Sequence, residues 1–280
     1  MKKLLFKLCL LLLCSPAWAW NSNGHMVIGQ IAYDNLQPKA REQVQELIER
    51  LAVDYPGSGS LVRASVWADW IKAHGVNAFS HWHYIDLGFS EDGTPYPAQP
   101  ETGNVVWAIN QSLKVLANPR SNDFEKAFFL RLLVHFVGDI HQPLHCANRY
   151  SQLYPNGDAG GNRFKVIAPY GKNLHQAWDQ GLGLLKSPKG QQLFTSAQVK
   201  QLAAKIETRY PRKQFAEALQ QKGSRQWAYE GYVLSKTKIY PSTEEAILDQ
   251  QYQEQLTPVV EQRLALAGYR LADLLNQLYG

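Results

Sequence analysis

The stretch VHFVGDIHQPLH, residues 134–145, decides how this chain reads. It closes a run from Asn122 to Ile140 that is apolar at almost every turn, through Phe128, Phe129, Leu132, Leu133, Phe136 and Val137. Asn122 or Asp123 can cap the start of a helix there, and Pro143 ends it. A helix apolar nearly all round is one that other elements cover. Yet this one carries His135 and Asp139, four residues apart and so on one face, with His145 just past the proline. Ionisable groups enter a core when they are paired or bound to metal. A plain His–Asp hydrogen bond would also satisfy the pair, so this stretch alone leaves both readings open.

The flanking sequence adds to the metal reading. NLHQAWDQ, residues 173–180, repeats the spacing with His175 and Asp179. SVWADWI places Asp69 between tryptophans, HWHYID offers His81 and His83 among aromatics, and WNSNGH supplies His25. Neutral imidazole and carboxylate are the ligands zinc takes where cysteine is absent. Two such pairs plus single candidates on separate segments indicate a polynuclear site. Two metals about 4 Å apart can clamp both ends of an in-line displacement at phosphorus. No Ser-His-Asp arrangement and no glycine-rich phosphate loop is apparent, so metal-assisted hydrolysis of a phosphoester fits best.

Helical periodicity predicts a mainly α fold, with helices over 25–36, 38–52, 61–73, 104–117, 122–140, 172–186, 195–207, 211–221, 224–236 and 257–278. Residues 88–103 and 146–170 read as loops, with RFKVIA as a short strand. No repeat or linker is visible, so residues 20–280 are expected to form a single domain. Residues 1–19 have a basic start, a leucine-rich run and an A-x-A end, the pattern of a signal peptide. No later stretch is apolar enough to span a bilayer. The expected product is exported, periplasmic or secreted, with no membrane association. The leader would remove three lysines and no acid, lowering the formal charge from +5 to +2, so bulk charge says nothing about nucleic acid. It would also remove Cys9 and Cys14, leaving Cys146 and no intramolecular disulfide.

With these motifs in hand, the sequence resembles the secreted zinc-dependent single-strand nucleases of fungi, plants and bacteria, the S1/P1 nuclease family, whose helical fold is shared with zinc phospholipase C. WNSNGH, WADWIK, HWHYID, VHFVGDIHQPLH, GGN and NLHQAWD occur in family order. The resemblance implies three zinc ions at the base of a cleft. One would take Asp69, His83, His135 and Asp139. Its close neighbour would take His25, Asp139 as a bridge, and the α-amino group and carbonyl of Trp20. The third would take His145, His175 and Asp179. His83 is chosen over His81 because it directly precedes Tyr84-Ile85-Asp86. His74, His81 and His141 are left as surface or supporting groups.

The resemblance also implies catalytic roles for Asp69, orienting the nucleophile, and for Lys72 and Asn162, facing charge on the phosphoryl group. Tyr84 and Asp86 would bind a base. Expected substrates are single-stranded DNA, RNA and nucleotides, cut to 5′-phosphorylated products, with 3′-nucleotidase activity beside them. No protein partner is implied, and a monomer is expected. Asn21 departs from the glycine usual after the first tryptophan. Cys146, beside His145, is either a buried bystander or a stray zinc contact. A phospholipase C of the same fold is the alternative enzyme, and a non-enzymatic zinc-binding helical protein is the alternative of another class.

Overall fold

The computed structural model describes residues 20–53 and 57–280. The expected signal peptide lies outside the described residues. Eleven α-helices run through the described chain: α1 Ser22–Asp34, α2 Pro38–Arg50, α3 Leu61–Ala64, α4 Trp67–Ala73, α5 Val105–Ala117, α6 Asp123–Asp139, α7 Leu174–Asp179, α8 Ser196–Arg209, α9 Ala216–Gln220, α10 Ser224–Leu234 and α11 Gln250–Tyr279. Five short strands join them: β1 Gly88–Ser90, β2 Asn148–Tyr150, β3 Lys165–Ala168, β4 Gly171–Asn173 and β5 Ala246–Ile247. β1 pairs with β2 in parallel, and β3 lies between β4 and β5. Among the described residues no helix is long and apolar enough to cross a membrane.

The central helix is α6. Asn122 accepts from the Glu125 amide while the Glu125 carboxylate accepts from the Asn122 amide, a reciprocal cap that satisfies two otherwise orphaned donors. From Leu130 to Asp139 every residue is buried. α5 and α2 cover α6, and α1 packs on α11, α8 and α3. Buried side chains from all these helices form one connected apolar cluster. α1 and α11 meet at Gly268, where a Cβ would sit 2.5 Å from Ile31, so the small residue permits the close approach.

Several expected elements differ from those observed: β1 and β2 lie in segments read as loops, the helix predicted over 211–221 is a turn at Arg212–Phe215 followed by α9, and three further differences concern the helices beside them. The predicted helix 61–73 is two helices, α3 and α4, divided at Ser65–Val66. The break frees the Ser65 carbonyl to accept from His135 Nδ1 at 2.7 Å. The helix predicted over 172–186 ends at Asp179, because Gly181, Leu182 and Gly183 all take left-handed φ values. The last helix starts at Gln250 rather than 257. Asp249 caps it by accepting from the Tyr252 amide, and Pro258 lies inside it.

Candidate metal centre

Six segments deliver the candidate ligands. α1 carries His25, α4 carries Asp69, the turn Ser80–His83 ends on His83, and α6 carries His135 and Asp139. The turn Pro143–Cys146 carries His145, and α7 carries His175 and Asp179. All eight side chains are buried. They converge as three groups whose donor atoms lie within 4.8 Å of one another: His25 with Asp69 and His135, His83 with His135 and Asp139, and His145 with His175 and Asp179. His135 belongs to two of these groups, so the first two adjoin.

Asp139 sits at the focus. Its Oδ1 is 3.3 Å from His25 Nε2, and its Oδ2 is 3.0 Å from His83 Nδ1 and 3.3 Å from His135 Nε2. Neither oxygen makes a well-formed hydrogen bond, and Asp69 Oδ2 makes none either. Asp69 Oδ1 lies 3.6 Å from His135 Nε2 and 3.8 Å from His83 Nδ1. The His25 and His135 rings stack at 4.0 Å, nearly parallel.

The residues fit a metal by their proton arrangement. His145 Nδ1 donates to the His83 carbonyl at 2.8 Å, and His175 Nδ1 donates to the Gly160 carbonyl at 2.6 Å. Each neutral imidazole carries one proton, so both Nε2 atoms keep lone pairs. Those lone pairs face each other at 3.2 Å. His135 Nδ1 is likewise committed to Ser65, which leaves its Nε2, 3.1 Å from His83 Nδ1, as the atom that would face a metal. Lone pairs this close repel unless a cation lies among them. Backbone carbonyls that fix the tautomer of a ligating imidazole are the usual support of a zinc site. Gln142 adds a further support, donating to Asp179 Oδ1 at 2.8 Å.

The electrostatics agree. Burial works against charge on His135, yet the Asp139 and Asp69 carboxylates outweigh it and hold the imidazole up at about 9. Burial alone would raise Asp139, but the His135 charge and the close contacts with His135, His25 and His83 hold it well below the ordinary carboxylate range. Burial and then the His135 charge push His25 down. Without a cation the centre therefore holds a proton on His135, and metal uptake displaces it. Burial pushes Asp179 well above the ordinary range, with the Gln142 hydrogen bond opposing.

Other residues singled out from the sequence lie around this centre. Lys72, half-buried in the last turn of α4, is near enough to Asp179 to oppose that rise. Asn162 donates to the Ala159 carbonyl and lines a cleft of about 820 Å³ with Asp179, Gln176 and Asn21. Trp20 is buried, and the Asn21 amide after it donates to the Asp179 carbonyl at 3.0 Å. Tyr84 and Asp86 are half-buried, and Tyr84 Oη meets His81 Nδ1 at 2.7 Å. Burial, then the charge of Asp158, pushes Asp86 up to about 6.

His81 and His74 are exposed. His141 is wholly buried, accepting at Nε2 from Arg270 and donating at Nδ1 to the Val137 carbonyl, so it is not a surface group. Cys146 belongs to none of the ligand groups found among the described residues. Its thiol donates to the Ile140 carbonyl, and burial pushes it up to about 12. Gln142 was missed in the sequence, although an amide between two ligands in residues 139–145 is the kind of signal that could have exposed it.

A family model described as S1/P1 Nuclease matches residues 20–280. The chain belongs to the S1/P1 nuclease family. Endonuclease 2 of Arabidopsis thaliana is 29% identical over 93% of this chain and 91% of its own length. Nuclease P1 of Penicillium citrinum is 26% identical over 93% of this chain and 98% of its own. Nuclease S1 of Aspergillus oryzae is 26% identical over 61% of this chain and 57% of its own. S1/P1 nucleases are zinc-dependent, and the three buried His/Asp groups can hold metal. Membership makes the chain a nuclease of the hydrolase class and favours that reading over the phospholipase.

Proposed function

We propose that this S1/P1 nuclease is an exported single-domain enzyme that uses three zinc ions to hydrolyse single-stranded DNA and RNA to 5′-phosphorylated products, with 3′-nucleotidase activity beside it. The observation that carries the metal reading is the facing pair of Nε2 lone pairs on His145 and His175, 3.2 Å apart, with both Nδ1 protons committed to carbonyls. His145, His175 and Asp179 would hold one ion. Asp69, His83, His135 and Asp139 would hold a second. His25, Asp139 and the main chain of Trp20 would hold the third. Bound zinc supplies an ionised water near neutral pH and neutralises charge on a phosphoryl group.

The chain's own groups do the rest. Asp69 Oδ2, buried without a hydrogen bond, is available to orient the attacking water. The Lys72 ammonium, close to Asp179, and the Asn162 amide in the adjoining cleft bind non-bridging oxygens where charge builds. Tyr84 offers a ring face for any base, and Asp86 accepts from base N–H groups. Single strands present both to the enzyme, whereas a duplex hides them. No protein partner is needed for any of these contacts, and the enzyme acts as a monomer.

Dialysis against a strong chelator should remove zinc, abolish hydrolysis of single-stranded DNA and lower the melting temperature. Added zinc should restore all three. Saturating metal at about a hundred times its Kd is worth roughly 2.7 kcal/mol to the fold. Full activity in protein shown by mass spectrometry to be metal-free would refute the proposal.

Asp86 makes a second, separable expectation. Its carboxyl titrates at about 6 in the fold, against about 3.9 in an unfolded chain. Between those values the folded state holds more protons, so stability falls as pH rises through the window. A shift of about two units corresponds to roughly 2–3 kcal/mol, fully in force above pH 7. Asp86→Asn should therefore raise the melting temperature at pH 8 but not at pH 4, while raising KM for single-stranded substrate. Equal melting shifts at both pH values would remove the charge explanation.

A further inference from the structure

Beside the Asp86 segment lies an aromatic ring that none of the assigned roles uses. Tyr96 stands on the loop between β1 and α5 and is 48% exposed. One face of it is covered. Its ring stacks on Tyr150 at 5.5 Å with 29° between the planes. It also occupies the space above Gly88, where a Cβ would fall 2.3 Å from Tyr96 Cδ2. Gly88 is two residues from Asp86, and its strand pairs with β2 so that Ser90 meets Tyr150. Burial, then the charges of Asp86 and Asp158, push the Tyr150 phenol above its ordinary value, which places Tyr150 near Asp86.

The loop that carries Tyr96 is fixed without it. Asp92 accepts from Ser90 Oγ, from the amide and hydroxyl of Thr94, and from the Gln152 amide. At the far end Asn104 donates to the Pro100 carbonyl and accepts from the Trp107 amide. The next amide, Val105, donates to the Tyr84 carbonyl at 3.0 Å. The loop thus leaves from the Asp86 strand and returns to Tyr84. A ring needed only to pin that loop would have little left to pin. What it provides is a flat apolar face, held still at the rim.

We propose that Tyr96 is the stacking platform for a second nucleobase of a single strand, next to the base taken by Tyr84 and Asp86. This rests on the reading of Tyr84 and Asp86 as a base-binding pair. Aromatic faces accept every base, so the platform adds affinity for polymer without sequence preference. The enzyme would then distinguish a chain from a single nucleotide by how many bases it can seat.

Kinetics of Tyr96→Ala, Tyr96→Phe and Tyr84→Ala on a 3′-nucleotide, a dinucleotide and a longer single-stranded oligonucleotide test this. Tyr96→Ala should raise KM for the oligonucleotide roughly ten-fold, leave kcat unchanged, and leave the 3′-nucleotide unaffected. Tyr96→Phe should match the parent. An unchanged oligonucleotide KM in Tyr96→Ala would overturn the proposal. So would an equal rise on the 3′-nucleotide, which would mean that the ring only shapes the first base site. Tyr84→Ala reports on the other reading, because it should raise KM on every substrate. If it does not, the base pair assignment fails whatever Tyr96 does.

Discussion

Asp139→Asn is expected to cost this nuclease on the order of a thousand-fold in kcat/KM, since a bound metal contributes several kcal/mol and each 1.36 kcal/mol is tenfold. Among the described residues no other carboxylate is placed as it is. Three imidazoles approach its two oxygens within 3.3 Å, and neither oxygen has a well-formed hydrogen bond. Asparagine keeps the shape and loses the negative charge that holds both adjoining groups together. The metal-free fold should also lose stability, because His135 loses the carboxylate that holds its charge and a coupled buried pair is broken. The decisive measurement pairs zinc content by mass spectrometry with melting in chelator. Zinc should fall below the parent's, and the melting temperature in chelator should fall as well while a cooperative transition remains. Parental zinc content together with parental activity would contradict the assignment of Asp139 as a bridge.

Gly138→Ala should weaken the same centre through a single methyl group. A Cβ at residue 138 would fall 2.7 Å from His25 Nδ1 and 2.9 Å from its Cε1. The ring cannot retreat freely, because it is stacked on His135 at 4.0 Å. Alanine in place of glycine gains about 1 kcal/mol of helix propensity. Overpacking costs about 1–3 kcal/mol. The two nearly cancel for the fold but not for the ligand, which must turn away from Asp139. Zinc affinity of that group should fall roughly 10- to 100-fold, the range seen when ligand orientation is disturbed. Competition with a metal indicator would measure it, and an unaltered titration would sink the argument.

Much of this was legible in the residues themselves. The i, i+4 spacing of His135 with Asp139 and of His175 with Asp179 put each pair on one face, and the surrounding apolar residues said that the faces were buried. What spacing could not supply was which carbonyls fix the imidazoles. Ser65 serves because a helix breaks there, and nothing in SVWADWI marks the break. Gly160 serves because the chain adopts a left-handed turn far from His175 in sequence. α11 starts at Gln250, ahead of the predicted 257, because Asp249 caps it there and the helix runs on through Pro258. His141 looked like a spare polar group, yet Arg270, more than a hundred residues away, makes it part of the interior.

Residue 83 has one further consequence. Its side chain faces Asp139 in one ligand group, while its carbonyl accepts the Nδ1 proton of His145 in another. Whichever group fills first fixes residue 83 for both, so the ordering entropy is lost once and the next ion binds a partner already in place. If both groups hold zinc as proposed, positive coupling between them is the expected result. Partial depletion would leave a population divided between full and empty molecules, and few enzymes caught half-assembled.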